Sequence, residues 1–123
     1  MIDEVIAKIK DIAGVTVIYF LKDNRIIKEH NRTADKNYLE HVQAILNSDS
    51  LLQSISSNLF SDKFHTYSLL NEEGLMIISK LNNQENLYMI IVAGENEPVD
   101  LLSLLKICKE TRLLFNDHTV TNA

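Results

Sequence analysis

Proline, glycine, cysteine and tryptophan are all scarce in this sequence. The chain has one proline, three glycines, one cysteine and no tryptophan among 123 residues. With a single cysteine, Cys108, it cannot form an internal disulfide, and such sparse cysteine usage is typical of a reducing compartment. No apolar run reaches the length of a membrane span, and the first residues do not resemble a secretory signal. We therefore expect a cytoplasmic protein without membrane insertion.

Basic residues are also in the minority. Twelve lysines and arginines face 17 aspartates and glutamates, which gives a net charge of −5. Nucleic acids and anionic membranes require a basic surface, so the charge balance predicts no nucleic-acid partner. The length and the 46% hydrophobic content fit one globular domain. We place this domain at residues 1–115 and a short C-terminal tail at 116–123.

The residue patterns of enzymes and cofactor sites are missing as well. The loop AGENEPVD (93–100) joins a strand pattern to a helix start, but it has one glycine and neither lysine nor hydroxyl residue. Its carboxylates, Glu95, Glu97 and Asp100, would repel a phosphate and instead complement the helix dipole. The four histidines lack metal-site spacing, no serine lies in a GxSxG pattern, and Cys108 lies among leucines. The sequence thus predicts no catalytic residue, cofactor or metal, and no enzyme.

The chain does contain a regular succession of helix and strand patterns. An amphipathic helix ends near Gly14, and Asp23-Asn24 is typical of a tight turn between two strands. Residues 34–60, which Asp35 can cap, form either one long bent helix or two short ones. The predicted elements are a helix at 2–13, strands at 15–21 and 25–30, the helical block, strands at 63–70, 75–80 and 87–93, and a helix at 98–115.

The composition of the strands predicts their places in a sheet. The segments VTVIYFL (15–21) and LYMIIVA (87–93) are apolar at nearly every position, as central strands are. The segments RIIKEH (25–30) and KFHTYSLL (63–70) are half polar, as edge strands tend to be. With local hairpins, the simplest arrangement is an α+β fold with one antiparallel sheet of order 2-1-5-4-3 and helices on both faces. The first and last helices then share one face, and the middle block covers the other.

The middle block carries more apolar residues than one sheet face can bury. Next to it, KFHTYSLL is an edge strand without a proline to block pairing, so the two features together favour association with another copy. The alternative is that a curved sheet and the tail cover both features. The apolar residues of the block are Tyr38, Val42, Ile45, Leu46, Leu51, Leu52, Ile55, Leu59 and Phe60.

The order α-β-β-α-β-β-β-α resembles the roadblock/dynein light chain family, which shares its architecture with longin and profilin-like folds. Its opening, from the first helix through Gly14 into VTVIYFLKDNRIIKE, is similar to that of the family. LYMIIVAGENEPVDLLSLLKICKE resembles the family's closing strand, acidic loop and leucine-rich helix. Members often carry a glycine in the first hairpin, as in DxxG, where this chain has KDNR.

This resemblance implies a non-enzymatic homodimer or heterodimer in which the third strands pair edge to edge and the second helices pack together. Such proteins are platforms for Ras-like small GTPases, and some stimulate GTP hydrolysis; others are adaptors on dynein. The positions that match the dimer region are Leu52, Ile55, Leu59, Phe64, Thr66 and Ser68. A small-ligand sensor domain of the PAS or GAF type, also built on a five-stranded sheet, is the alternative.

Overall fold

The order of helices and strands follows the prediction, with the middle helical block divided in two. The computed structural model describes residues 1–12, 14–33, 37–60, 64–82, 84–94 and 99–122, with side chains to Asn116 in the last helix. Its elements are α1 (Ile2–Ile9), β1 (Val15–Lys22), β2 (Arg25–Asn31), α2 (Leu39–Leu46), α3 (Asp49–Leu59), β3 (Thr66–Leu70), β4 (Leu75–Asn82), β5 (Leu87–Ala93) and α4 (Leu101–Asn122).

The strands form one antiparallel sheet of order β2-β1-β5-β4-β3, which confirms the predicted topology. All seven residues of β5 and most of β1 are buried, because both strands have neighbours on either side and helices above and below. The β1–β2 turn places Asp23 and Asn24 at φ 53° and 65°. Both residue types tolerate this left-handed conformation, which a two-residue hairpin requires.

The alternation of side chains along the strands divides the core into two layers. On one face, Ile18, Phe20 and Ile91 pack with residues of α1 and α4. On the other face, Tyr19 and Ile90 pack against α2. The first and last helices therefore share a face, and the middle block begins on the opposite one, as predicted.

Several boundaries differ from the predicted ones. The strand β3 begins at Thr66 and not at 63, and α1 ends at Ile9, four residues before the predicted end. The last helix begins at Leu101 and continues to Asn122, past the predicted end at 115. Its start is fixed by Asp100, whose carboxylate accepts hydrogen bonds from the Ser103 N–H (3.1 Å) and hydroxyl (2.6 Å). The predicted cap Asp35 and loop residues Glu95 and Glu97 lie outside the described residues.

Two glycines allow the turn between β3 and β4 to contact the end of β5. A Cβ atom on Gly74 would lie 2.5 Å from the carbonyl oxygen of Ala93. One on Gly94, which has a φ of +125°, would lie 2.4 Å from the Gly74 Cα. Only glycine allows two backbones to approach this closely. The turn is held further by Asn71, whose side-chain oxygen accepts hydrogen bonds from the N–H groups of Glu73 and Gly74.

Candidate interaction surface at the β3 edge

The strand β3 lies at one edge of the sheet and has no strand on its outer side among the described residues. Its sequence, TYSLL, contains no charged residue and no proline. Natural sheets commonly protect their edges with lysine, proline or a bulge, and β3 has none of these. The other edge strand, β2, is different, because it carries Arg25, Lys28 and Glu29 and its pairing with β1 contains an irregularity.

Helix α3 lies beside this edge and is attached to it by polar contacts, and Phe60 after the helix also contacts the ring of Phe64. The Gln53 side-chain N–H donates to the carbonyl oxygen of Phe64 (2.8 Å) and to the Tyr67 hydroxyl (3.0 Å). Its side-chain oxygen accepts the Phe64 N–H at 3.0 Å. The Tyr67 hydroxyl in turn donates to Asp49 at 2.6 Å. Two successive turns of α3 are thereby bonded to β3 and to the segment that precedes it.

The network affects the acidity of Tyr67. Partial burial raises the pKa of its hydroxyl, and the hydrogen bond to Asp49 and the charge of that carboxylate raise it further. The neighbouring Tyr88, over which the Lys80 ammonium lies at 5.6 Å from the ring centre, also has a raised pKa because of burial and the charge of Asp49. Each of these effects favours the protonated hydroxyl, which is the form that donates to Asp49.

The outward side of α3 is apolar and exposed. Leu51, Ile55 and Leu59 recur every four residues and are 66%, 44% and 67% exposed, and Phe60 directly after the helix is 59% exposed. Residues spaced in this way form one stripe on a helix. Large apolar side chains clustered in this way on a monomer typically mark an interaction surface. We call these four residues the α3 stripe.

The six residues predicted for the dimer interface all lie in α3 or near β3, but not on one face. Leu52 and Phe64 are half-buried, whereas Ile55 and Leu59 belong to the exposed α3 stripe. Thr66 and Ser68 pair with Ser79 and Ile77 of β4, and Ile77 is part of the core under α1 and α4. Their side chains thus lie on the sheet face opposite to α2, and they share only the sheet edge with the α3 stripe.

Sequence reasoning missed the three polar residues that attach α3 to β3. Asp49 and Gln53 are one helical turn apart and hydrogen-bonded to each other, but no spacing in the sequence links them to Tyr67. Tyr67 carries a weak signal, because it is the aromatic residue between the polar Thr66 and Ser68 in a strand.

A surface groove of about 1010 Å³ lies between α2 and the β3–β4 turn. Tyr38, His41 and Ile45 line one wall, and Leu69 and Met76 belong to the other. A smaller groove of about 340 Å³ lies across the same turn, beside the start of α4. Both are grooves at the end of the sheet and not chambers between sheet and helices, where a sensor domain of the PAS type would hold its ligand.

The buried Cys108 and the possible metal ligands are the other groups that could carry chemistry. Cys108 is buried in the core under α4, and this burial raises the pKa of its thiol to about 12. Within the described ranges, no three His, Cys, Asp or Glu side chains are grouped closely enough to hold a metal ion. In the same part of the chain, no helix has the length and hydropathy needed to cross a bilayer.

The comparison with known proteins gives matches of structure and none of sequence. No protein-family model and no curated protein matches the chain. A Roadblock/LC7 domain from Streptomyces avermitilis superposes with a TM-score of 0.69 at 14% identity, covering 96% of this chain and 97% of that one. A structure of MglB in a tetrameric arrangement gives 0.72 at 11% identity over 92% and 83% of the two chains. The gliding protein MglB from Thermus thermophilus gives 0.71 at 11% identity over 89% and 82%.

The chain therefore has the roadblock fold, as the order of its elements indicated. At these identities the likeness concerns the path of the backbone.

Proposed function

We propose that this protein is a non-enzymatic dimeric scaffold or regulator that binds a Ras-like small GTPase or assembles into a larger complex. The observation that carries the proposal is the pairing of an unprotected β3 edge with the exposed α3 stripe, on a roadblock fold. The two features lie next to each other, because Gln53 and Asp49 attach α3 to the strand.

The dimer follows from the physical character of this edge. An unpaired strand exposes rows of N–H and C=O groups, and a second β3 satisfies them without bringing like charges together, since TYSLL is uncharged. The neighbouring α3 stripe then packs against the same stripe of the second copy, which removes Leu51, Ile55 and Leu59 from water. A heterodimer with another roadblock protein uses the same surface.

The GTPase partner is proposed from the family resemblance. A sheet that continues across two subunits presents one broad helical face, which is a suitable platform for a globular partner. The protein itself supplies no nucleophile, acid–base pair or metal for hydrolysis in this proposal. It acts in the cytoplasm, where the buried thiol of Cys108 stays reduced.

Two measurements test the proposal. Light scattering after gel filtration should give about twice the 14.1 kDa of the single chain. A monomer at micromolar concentration would refute a homodimer. A pull-down from native cells is run in parallel under conditions that hold GTPases in the GTP-bound or the GDP-bound state. It should recover a small GTPase or a second roadblock protein. Recovery of neither would refute the proposed function and leave only the fold.

Two other functions are separated by the same experiments. A dynein light-chain-like adaptor would recover a motor subunit independently of the nucleotide. A small-ligand sensor would instead show a ligand-dependent rise in melting temperature. Its candidate binding site is the groove between α2 and the β3–β4 turn.

A further inference from the structure

The hydrogen bonds of β3 show which of its residues can pair with an additional strand. The Lys80 N–H donates to the His65 carbonyl oxygen at 2.7 Å, and the Asn71 N–H donates to the Gly74 carbonyl oxygen at 3.0 Å. Both bonds fit the register in which Thr66 is opposite Ser79 and Leu70 is opposite Leu75. In an antiparallel ladder such bonded pairs occur at every second residue. The odd-numbered residues of β3 therefore bond to β4.

The even-numbered residues direct their backbone groups towards the open edge by the same alternation. Within β3 these are Thr66, Ser68 and Leu70, which offer three N–H donors and three C=O acceptors. Beyond Leu70 the chain turns back into β4, with Asn71 bonded within the turn. The open edge therefore ends at Leu70 on this side.

On the other side the edge ends at Phe64, because Gln53 occupies it. Phe64 is the next even-numbered residue before Thr66, and both of its backbone groups are bonded to the Gln53 amide, at 2.8 and 3.0 Å. A side-chain amide that satisfies an N–H and a C=O of one residue makes the same two bonds that a neighbouring strand would make. Gln53 thus closes the ladder, and an incoming strand can bond only from Thr66 to Leu70.

We propose that two copies of the chain pair through β3 in a single register, in which Ser68 lies opposite Ser68 of the second copy, and that Gln53 fixes this register. This inference rests on the proposed dimer and adds its geometry. Around a two-fold axis at Ser68, Thr66 is opposite the second copy's Leu70, and all six open backbone groups of each strand are bonded. A shift of two residues places Leu70 opposite the second copy's Phe64, where Gln53 already holds the backbone.

A second copy pairs more favourably through β3 than through β2, the other edge strand. Self-pairing of β3 brings no charges together, and it leaves both α3 stripes on the same side of the joined sheet. Pairing through β2 would place its charged residues Arg25, Lys28 and Glu29 in the junction.

Disulfide trapping tests the register. In the proposed ladder the two Cα atoms of residue 68 are about 5.5 Å apart, within the range that a disulfide spans. The two copies of residue 66, like those of residue 70, are separated by four residues, or roughly 13 Å, which no disulfide bridges. Ser68→Cys, Thr66→Cys and Leu70→Cys are each oxidised with copper phenanthroline and compared on a non-reducing gel. The wild-type chain is the background control, since Cys108 is buried.

We expect Ser68→Cys to give at least 10-fold more cross-linked dimer than Thr66→Cys or Leu70→Cys, and the double variant Thr66→Cys/Leu70→Cys to cross-link as well. Adding Gln53→Ala to Ser68→Cys releases Phe64, so the register shifted by two residues becomes accessible. In that register Ser68 is opposite the second copy's Thr66, and the Ser68→Cys cross-link should become weaker. The matched control, Gln84→Ala in the exposed β4–β5 turn, should not weaken it.

The outcomes separate the register from the dimer. If light scattering shows a dimer but Thr66→Cys or Leu70→Cys cross-links in place of Ser68→Cys, the register is wrong and the dimer stands. If the protein is a dimer but none of the three cysteine variants forms a cross-link, the dimer uses a different interface. An unchanged pattern after Gln53→Ala removes that residue's role, and a monomer in solution overturns the proposed function together with this inference.

Discussion

The substitution Ile55→Asp separates association from folding. Ile55 is in the middle of the α3 stripe and is 44% exposed in the single chain. Complete burial of an isoleucine side chain contributes about 1.5–3 kcal/mol, so the part still in water represents about 1 kcal/mol per copy. A two-fold interface loses this amount twice, or about 2 kcal/mol, which corresponds to a roughly 30-fold weaker dissociation constant. The introduced carboxylates, brought close together in the dimer, weaken association further.

The assay measures the dimer dissociation constant by analytical ultracentrifugation and the stability of the monomer by urea unfolding at low concentration. We expect the dissociation constant to rise at least 30-fold, while the free energy of unfolding of the monomer changes by about 1 kcal/mol or less. Leu102→Asp is the matched control, because Leu102 is 80% exposed on α4, over the other sheet face. An unchanged dissociation constant, or equal weakening by the control, would refute the role of the α3 stripe. A loss of monomer stability as large as the loss of association would place Ile55 in the core.

The other predictions concern the polar network, the glycine contact and the buried thiol. Tyr67→Phe removes the hydrogen bond to Asp49 and an acceptor for Gln53, and should lower the free energy of unfolding by about 1–2 kcal/mol in urea titrations; an unchanged midpoint would mean that α3 is held by other contacts. Gly94→Ala, which adds a Cβ 2.4 Å from Gly74 at a φ of +125°, should cost more than about 1 kcal/mol and lower the melting temperature, and an unaffected melting temperature would contradict the close approach of the two backbones. Burial raises the pKa of Cys108 from its usual 9.0 to about 12, so the unfolded chain loses this proton first as the pH rises. The free energy of unfolding should therefore fall between pH 9 and 12, and it should fall less steeply for Cys108→Ala. Equal pH dependence of the unfolding free energy for the two proteins would contradict the raised pKa of Cys108.

The candidate interface was predictable from the sequence in part. The apolar surplus of the middle block identified Ile55 and Leu59, because a helix with more apolar residues than one face can bury must expose some of them. Thr66 and Ser68 lie on an edge strand, as predicted, and their side chains lie on the sheet face opposite to α2. Only the register with β4 decides which face a strand residue occupies, since a shift by one residue exchanges the two faces.

The exposed apolar surface of α4 shows a second limit of sequence reasoning. In the sequence, Ser103, Lys106 and Glu110 form a narrow polar stripe on this helix and most of the remaining circumference is apolar. In the structure Leu102, Leu113 and Leu114 are exposed, while Leu104 and Cys108 are buried. A helix that packs on one sheet buries only the side that faces it. Hydropathy reports how much apolar surface is available and not how much of it the neighbouring layer covers.

The order of the elements and the topology of the sheet followed from the sequence, because local patterns were sufficient for both. Apolar strands had to be central, Asp23-Asn24 had to turn, and short connections left one simple sheet order. Tertiary structure alone decided how the β3 edge is bounded. The 2.8 Å hydrogen bond from the Gln53 side chain to the Phe64 carbonyl oxygen depends on how α3 packs against β3. No local sequence pattern specifies this packing, because polar side chains that are distant in the sequence make the contacts.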